Sequence, residues 1–446
     1  MNWQNRLLFV SPQLLDRLIL VMAALFVLVD WLNGLLRHSL GSLLPLSAAF
    51  KALLLALLLW RGWQLCRSEL RLPLLLLVLM LPGPLYIKWL TGHPYLLSDL
   101  QLIAKAGAML LALAYFAARA KTLQQDYLRY VDAVVLAAFM LLLLNTVLGV
   151  VGYGGTAYQP MEQVSQKFLG IKGYFVSTNE LSALLLVLSG WLLCRSWQRR
   201  RWAYPLIALA AFFIAALMLT KTGLFGILLL VLLTPLLLMD KRQWQQAKPY
   251  LLAAGLVVVV LTALLLYHLT ALLQWVGLYD KLQFAYQQRG LSGILLSSRD
   301  FYLQRNFALV AEHYPHWLQV LGVGQGGVRL LLKKYFIELD FFDLLLFYGV
   351  AGALLFCLSF LRLFSLLWSR MAKSELVLPL ALLNLLLLAV ALLAGHVLTS
   401  GMLWLPWALI NAAVLVNRAP SVLTTAMPQT VGGASTPAVQ PDSEAR

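Results

Sequence analysis

The feature that most constrains this chain is its alternation of long apolar blocks with short polar breaks. The stretch "GLFGILLLVLLTPLLLM", residues 223–239, carries no charge at all. A helix needs about 20 largely apolar residues to cross the hydrocarbon core of a bilayer. Only a helix or a closed barrel satisfies its backbone there. Blocks at 17–36, 43–62, 72–90, 100–118, 130–151, 176–195, 202–220, 223–239, 250–270, 341–363, 376–395 and 399–417 fit that length. The pattern predicts an all-α polytopic membrane protein of about twelve transmembrane helices. With 61% hydrophobic and 12% charged residues in 446, and a mean hydropathy of +0.82, the composition lies outside the range of soluble domains.

The net charge of +16 raises the question of a nucleic-acid partner, but the cations are not spread as one basic face. With the N-terminus in the cytoplasm, Arg61, Arg67 and Arg71, then Arg119, Lys121 and Arg129, then Arg195 and Arg199 to Arg201, then Lys241, Arg242 and Lys248, and finally Arg362, Arg370 and Lys373 all fall on one side. This is the positive-inside bias of membrane proteins. It predicts both termini in the cytoplasm and excludes nucleic-acid binding as the reason for the charge. The first apolar block is long and has no small-residue cleavage site, so it is expected to remain as the first helix. Cys66, Cys194 and Cys357 form no C-x-x-C pattern, and neither a disulfide framework nor a metal site is expected.

Residues 1–418 read as one transmembrane unit with two outer insertions, 152–175 and 271–340. The second is a long, helical outer loop between the ninth and tenth helices, and loops of that length usually carry function. It reads as an amphipathic helix near 273–288, a Gly/Ser break, and a helix from Asp300 to His313 capped by Ser298, with Phe301, Phe307, Leu309 and Val310 on one face. "GVGQGG" then reads as an irregular turn; no strand precedes it, so it is no dinucleotide fingerprint. Residues 419–446, rich in Pro, Gly, Ala, Ser and Thr, read as a disordered cytoplasmic tail.

Polar side chains at the membrane boundary are costly and mark function by default. The outer set holds Lys167, Lys172, Asn179, Glu180, Lys221, Arg289, Arg299, Asp300, Arg305, Glu338, Asp340, Asp343, His396 and Ser400. Each has a plain structural alternative. Lys221, in the near-loopless "LTKTGLFG", can snorkel or meet a phosphate. Arg299 and Arg305 can pair with neighbouring acids or flank a large anion such as a pyrophosphate. Glu338, Asp340 and Asp343 open a helix, where acids meet the positive end of the macrodipole, or one of them orients a sugar hydroxyl. His396 opens the tight turn "AGHVLTSG", and Asn179 and Glu180 lie in the first turn of a helix, where capping competes with chemistry.

The run "KGYFVSTNELSALL", "LTKTGLFGILL", "SSRDFYLQRNF" to "VLGVGQGG", "IELDFFDLLLFYGVAG" and "AGHVLTSG" resembles the O-antigen polymerase and O-antigen ligase superfamily over most of 165–401. The resemblance implies a metal-independent and cofactor-independent glycosyltransferase of the bacterial inner membrane, acting at its outer leaflet on glycan linked to a polyprenyl lipid through pyrophosphate. It implies Arg299, Arg305, Lys172 and Lys221 on the leaving pyrophosphate. It implies Glu338, Asp340 or His396 as the group that activates the acceptor hydroxyl, with Asn179, Asp300 and Asp343 in support. Membrane lipid, a chain-length regulator and a flippase are the implied partners. The form of "KGYF" and "ELDFFD" favours a polymerase of repeat units over a ligase. A lipid-linked oligosaccharide transporter is the rival. It would line a cavity with charges deep in several helices, and Lys51 and Lys105 are the mid-helix cations present.

Overall fold

The computed structural model describes residues 11–41, 45–158, 169–240 and 296–417, with scattered positions between 242 and 293. Outside those residues lie most of the expected ninth helix at 250–270 and of the amphipathic helix near 273–288, Lys167, Arg289 and the tail 419–446. The described chain is almost wholly helical. In order come α1 (Pro12–Leu40), α2 (Leu46–Leu65), α3 (Arg67–Leu79), α4 (Pro82–Thr91), α5 (Leu96–Leu123), α6 (Gln125–Val150), α7 (Thr178–Arg199), α8 (Ala203–Met218) and α9 (Lys221–Leu238). After the break come α10 (Arg299–His313), α11 (His316–Leu321), α12 (Gly324–Leu331), α13 (Asp340–Trp368), α14 (Val377–Leu393) and α15 (Trp404–Ala412). A two-stranded antiparallel hairpin, β1 (Gly155–Thr156) with β2 (Ile171–Gly173), links α6 to α7.

Eight helical segments among the described residues, counting α3 and α4 as one, are long and apolar enough to cross a membrane. The chain is therefore a membrane-embedded helical protein. α8, α14 and α15 are apolar but shorter. The core forms around α5, α7 and α15. Nearly every residue of α7 from Leu181 to Cys194 is buried, as is all of α15. A helix that is apolar on all sides belongs inside a bundle, and α6, α8, α9 and α14 surround α7 while α2, α3 and α15 surround α5.

The bundle has two distinct ends. At one lie the basic loops, held by carboxylates that the sequence does not advertise. Asp16 accepts both Arg61 Nε and Nη2 at 3.0 Å and Tyr115 Oη at 3.0 Å, and Asp132 accepts Arg195 Nε at 2.9 Å and Arg199 Nη1 at 2.8 Å. At the other end lie the β-hairpin and the segment 296–340, and this hairpin end holds the described members of the outer polar set, from Lys172 to Ser400.

Two expectations are corrected there. "GVGQGG" is no irregular turn: it opens α12, whose first amides Gln325 N and Gly326 N donate to the buried Asp99 carboxylate at 2.5 and 3.1 Å. That is an acid at the positive end of a helix, reached from α5. Ser298 precedes α10 but makes no capping hydrogen bond, because its backbone is left-handed at φ 65°. Beneath α11, the helix α13 breaks at Tyr348 and Gly349. Gly349 has φ 57° and ψ −146°, a region only glycine enters freely, and a Cβ on it would strike the Val320 carbonyl oxygen. Gly349→Ala is expected to cost about 1–3 kcal/mol for the conformation alone, with the clash added. A lowered thermal midpoint of the detergent-solubilised protein would show it, and an unshifted midpoint would refute the tight α11–α13 contact.

Candidate functional site

The turn from Ile337 to Leu339 and the turn from Ala394 to Gly401 abut at the hairpin end. A Cβ on Gly395 would overlap the Glu338 carbonyl oxygen. Glu338 and His396 both hold left-handed backbone, at φ 68° and φ 62°, which is uncommon for residues with side chains and needs support from outside. Two carboxylates of the first turn of α13 supply it. Asp343 accepts Ile337 N, Glu338 N and Leu339 N at 2.8, 3.0 and 3.2 Å. Asp340, 1% exposed, accepts His396 N, Val397 N, Leu398 N and Thr399 Oγ1 at 2.7, 2.7, 2.8 and 2.8 Å. Both Asp340 oxygens thus hold the turn that carries His396. Asp343 supports Glu338 in the same manner.

Against these turns lies the start of α10. Arg299 donates Nη2 to Glu338 Oε2 at 3.1 Å and Nη1 to the Leu393 carbonyl at 3.4 Å. Its Nε and the neighbouring Asp300 Oδ1 are buried without a hydrogen-bond partner. Buried polar atoms are normally satisfied, so this orphaned donor and acceptor mark a place for a bound group. Lys334 sits 3.7 Å from the other Glu338 oxygen. Lys221, exposed at the start of α9, reaches Ser297 Oγ at 3.4 Å, two residues before Arg299. Tyr158, beyond β1, donates to the Leu219 carbonyl at 3.2 Å. Burial pushes its phenol above the ordinary value while the Arg299 charge opposes the shift, so Tyr158 stays a neutral hydroxyl beside the arginine.

The expected set therefore divides. Arg299, Glu338, Asp300, Lys221 and the His396 turn converge. Arg305 does not face them: its Nε and Nη2 contact Asn306 Oδ1 at 3.1 and 3.0 Å, Nη2 also reaches the Lys334 carbonyl at 2.6 Å, and the guanidinium stacks 5.0 Å from the Tyr302 ring. It clips α10 to the segment leading into Glu338. Lys172 lies on β2, and no contact joins it to the Arg299–Glu338 pair among the described residues. Its carbonyl accepts Asn145 Nδ2 at 3.1 Å, and Tyr174 N donates to Asn145 Oδ1 at 2.9 Å, so "KGY" is docked on α6. Asn179 makes no side-chain hydrogen bond among the described residues. Glu180 leaves its own helix to accept Ser400 Oγ at 2.7 Å and Gly401 N at 2.8 Å. Sequence reasoning missed Lys334 and Tyr158; the spacing of Lys334 four residues before Glu338 was the available signal.

A cavity of about 880 Å³ lies at the basic end. There Arg119 pairs with Asp16, Arg362 with Glu69 and Arg370 with Asn417, while Lys121 has no ion pair among the described residues and Arg119 Nε is buried without a partner; the cavity lies at the end opposite the converging outer residues. Among the described residues no group of three His, Cys, Asp or Glu side chains is placed to hold a metal ion.

Fold and site together define a class: a membrane-embedded helical protein with a guanidinium–carboxylate pair, Arg299 and Glu338, beside the turn that carries His396, at one end of its bundle. Compared with family models and with curated proteins, the chain matches none.

Proposed function

We propose that the protein is a glycosyltransferase of the bacterial inner membrane that joins lipid-linked repeat units into a polysaccharide, with the hairpin end at the outer leaflet, about twelve membrane crossings and both termini in the cytoplasm. The observation that carries this reading is Arg299, whose buried Nε has no partner although its other two nitrogens are held by Glu338 and Leu393. A guanidinium fixed in this way with one donor free suits a phosphate oxygen. The bond between the anomeric carbon and the pyrophosphate breaks as the acceptor hydroxyl attacks. Charge then grows on the leaving oxygen, where Arg299 and Lys221 stabilise it. Glu338 or His396 takes the hydroxyl proton, and the lipid pyrophosphate departs. The same cluster serves a ligase that passes finished glycan to another acceptor.

Lipid-linked intermediates in a strain lacking the protein test the reading. Accumulation of single repeat units is the expected result. Full-length chains left on lipid would mean a ligase instead.

One observation favours a second reading, transport of a lipid-linked oligosaccharide. Asp30, Lys51 and Lys105, each on an apolar helix, line a common cavity. Reconstituted protein that moved a labelled lipid-linked sugar between leaflets without lengthening any chain would establish transport over transfer.

A further inference from the structure

A second polar site lies inside the bundle, on the far side of the 395–402 turn from Arg299. It is a cavity of about 380 Å³ among α1, α2, α5 and the start of α7. Three cations, Arg37, Lys51 and Lys105, and two carboxylates, Asp30 and Glu180, line it. Both carboxylates are engaged. Lys51 Nζ and Ser47 Oγ each donate to Asp30 Oδ1 at 2.5 Å, and Glu180 holds Ser400 and Gly401. Lys105 and Arg37 have no ion pair or hydrogen bond among the described residues, and both are exposed to the cavity mouth. The two lysines converge: Lys51 Nζ and Lys105 Cε lie 3.6 and 3.5 Å from the point a Gly401 Cβ would occupy.

The floor of the cavity carries an independent mark. Asp30 has 7% side-chain exposure, and its second oxygen, Oδ2, is buried with no partner. A buried carboxylate oxygen left bare costs more than one hydrogen bond restores, so a donor is wanted there. Asn33, Gln101 and Ser177 add neutral polar groups to the lining, and Ala52, Leu55, Ala104 and Trp404 give it an apolar side. Surplus ammonium and guanidinium groups attract an anion, a bare carboxylate oxygen takes a hydroxyl, and the apolar side accepts an alkyl chain. Lysine is a compact point charge suited to phosphate, and the volume is that of a small-molecule site.

We propose that this cavity binds a phosphate-bearing amphiphile, with the phosphate between Lys105 and Lys51 and a headgroup hydroxyl on Asp30 Oδ2. The site is separate from the Arg299 cluster, and its occupancy does not depend on what reaction occurs there. The chemistry is shared by a polyprenyl phosphate and by an anionic phospholipid such as phosphatidylglycerol.

Native mass spectrometry of the full chain, carried in phosphatidylcholine nanodiscs and titrated with polyprenyl monophosphate, tests this. Uncharged polyprenol and phosphatidylglycerol form the comparison arms. Saturable binding of the phosphate but not of polyprenol is expected, weakened about tenfold or more in Lys105→Gln, the scale of one charge-assisted hydrogen bond. Arg299→Gln should keep the copy whose binding depends on Lys105, since any copy held at the Arg299 cluster is a separate, additional one in the mass spectrum. If phosphatidylglycerol competes equally and is lost with Lys105→Gln, the site stands and its occupant is a membrane phospholipid. If Lys105→Gln binds like the unaltered protein, or binding is lost only in Arg299→Gln, the proposal is overturned while the reading of the Arg299 cluster is untouched. Lys105 has no internal partner to lose, so the variant is expected to fold.

Discussion

If the protein carries the proposed glycosyl transfer, Arg299→Ala is expected to reduce it by about a hundredfold or more, the scale seen when a donor to a developing oxyanion is removed from a water-poor site. That factor corresponds to about 3 kcal/mol of transition-state stabilisation. The side chain is 11% exposed, so its charge acts in a medium that screens it poorly. Arg299→Lys is expected to recover little. An ammonium is one compact centre, and its three donors cannot span the Glu338 carboxylate, the Leu393 carbonyl and a phosphate oxygen as the planar guanidinium does. Arg305→Ala forms the contrast. Its guanidinium is spent on Asn306, Lys334 and the Tyr302 ring, so the variant should loosen α10 and lower the thermal midpoint while retaining much of its turnover. Extension of a purified lipid-linked repeat unit by the reconstituted protein, scored by product length on a gel, measures both. Equal and severe losses in the two variants at unchanged midpoints would return Arg305 to the anion and sink the division drawn between them.

The helices were legible because a membrane span announces itself locally. Each expected apolar block that falls on described residues contains a helix, from 17–36 in α1 to 399–417 in α15. Caps were less legible. Ser298 has the right chemistry before α10, yet its left-handed backbone turns the hydroxyl away from the helix amides. The polar pairings were least legible, since they join residues far apart in the chain. Trp31 and Asn145 are 114 positions apart, and Gln325 and Asp99 are 226 apart. No local pattern says whether an acid at a helix start will hold the turn just before its own helix, as Asp343 does, or a distant turn, as Asp340 and Glu180 do. Lys51 and Lys105 stood out as costly mid-helix cations. Their meeting beside Gly401 required the packing of α2 against α5, which apolar periodicity does not encode.

Asp340→Asn is the variant that separates a positioning carboxylate from a catalytic base. Three backbone N–H groups and the Thr399 hydroxyl converge on its two oxygens. In the amide one oxygen becomes an NH2 donor; the Thr399 hydroxyl can turn to accept from it, but at least one backbone N–H of the turn then faces a donor and is stranded. Each bond to a charged acceptor is worth about 1.5–3 kcal/mol, and a stranded buried donor costs about 1–3 kcal/mol. A destabilisation of about 3 kcal/mol or more is therefore expected. His396 sits in left-handed backbone at φ 62° only while Asp340 grips its amide, so its imidazole should lose its place and activity should fall together with stability. Asp340→Glu, which keeps the charge but lengthens the arm in a fully buried position, should fare little better. A base would behave otherwise: Asn would abolish turnover at an unchanged thermal midpoint. That pattern, measured on the same preparations, would remove Asp340 from the turn and place it in the reaction.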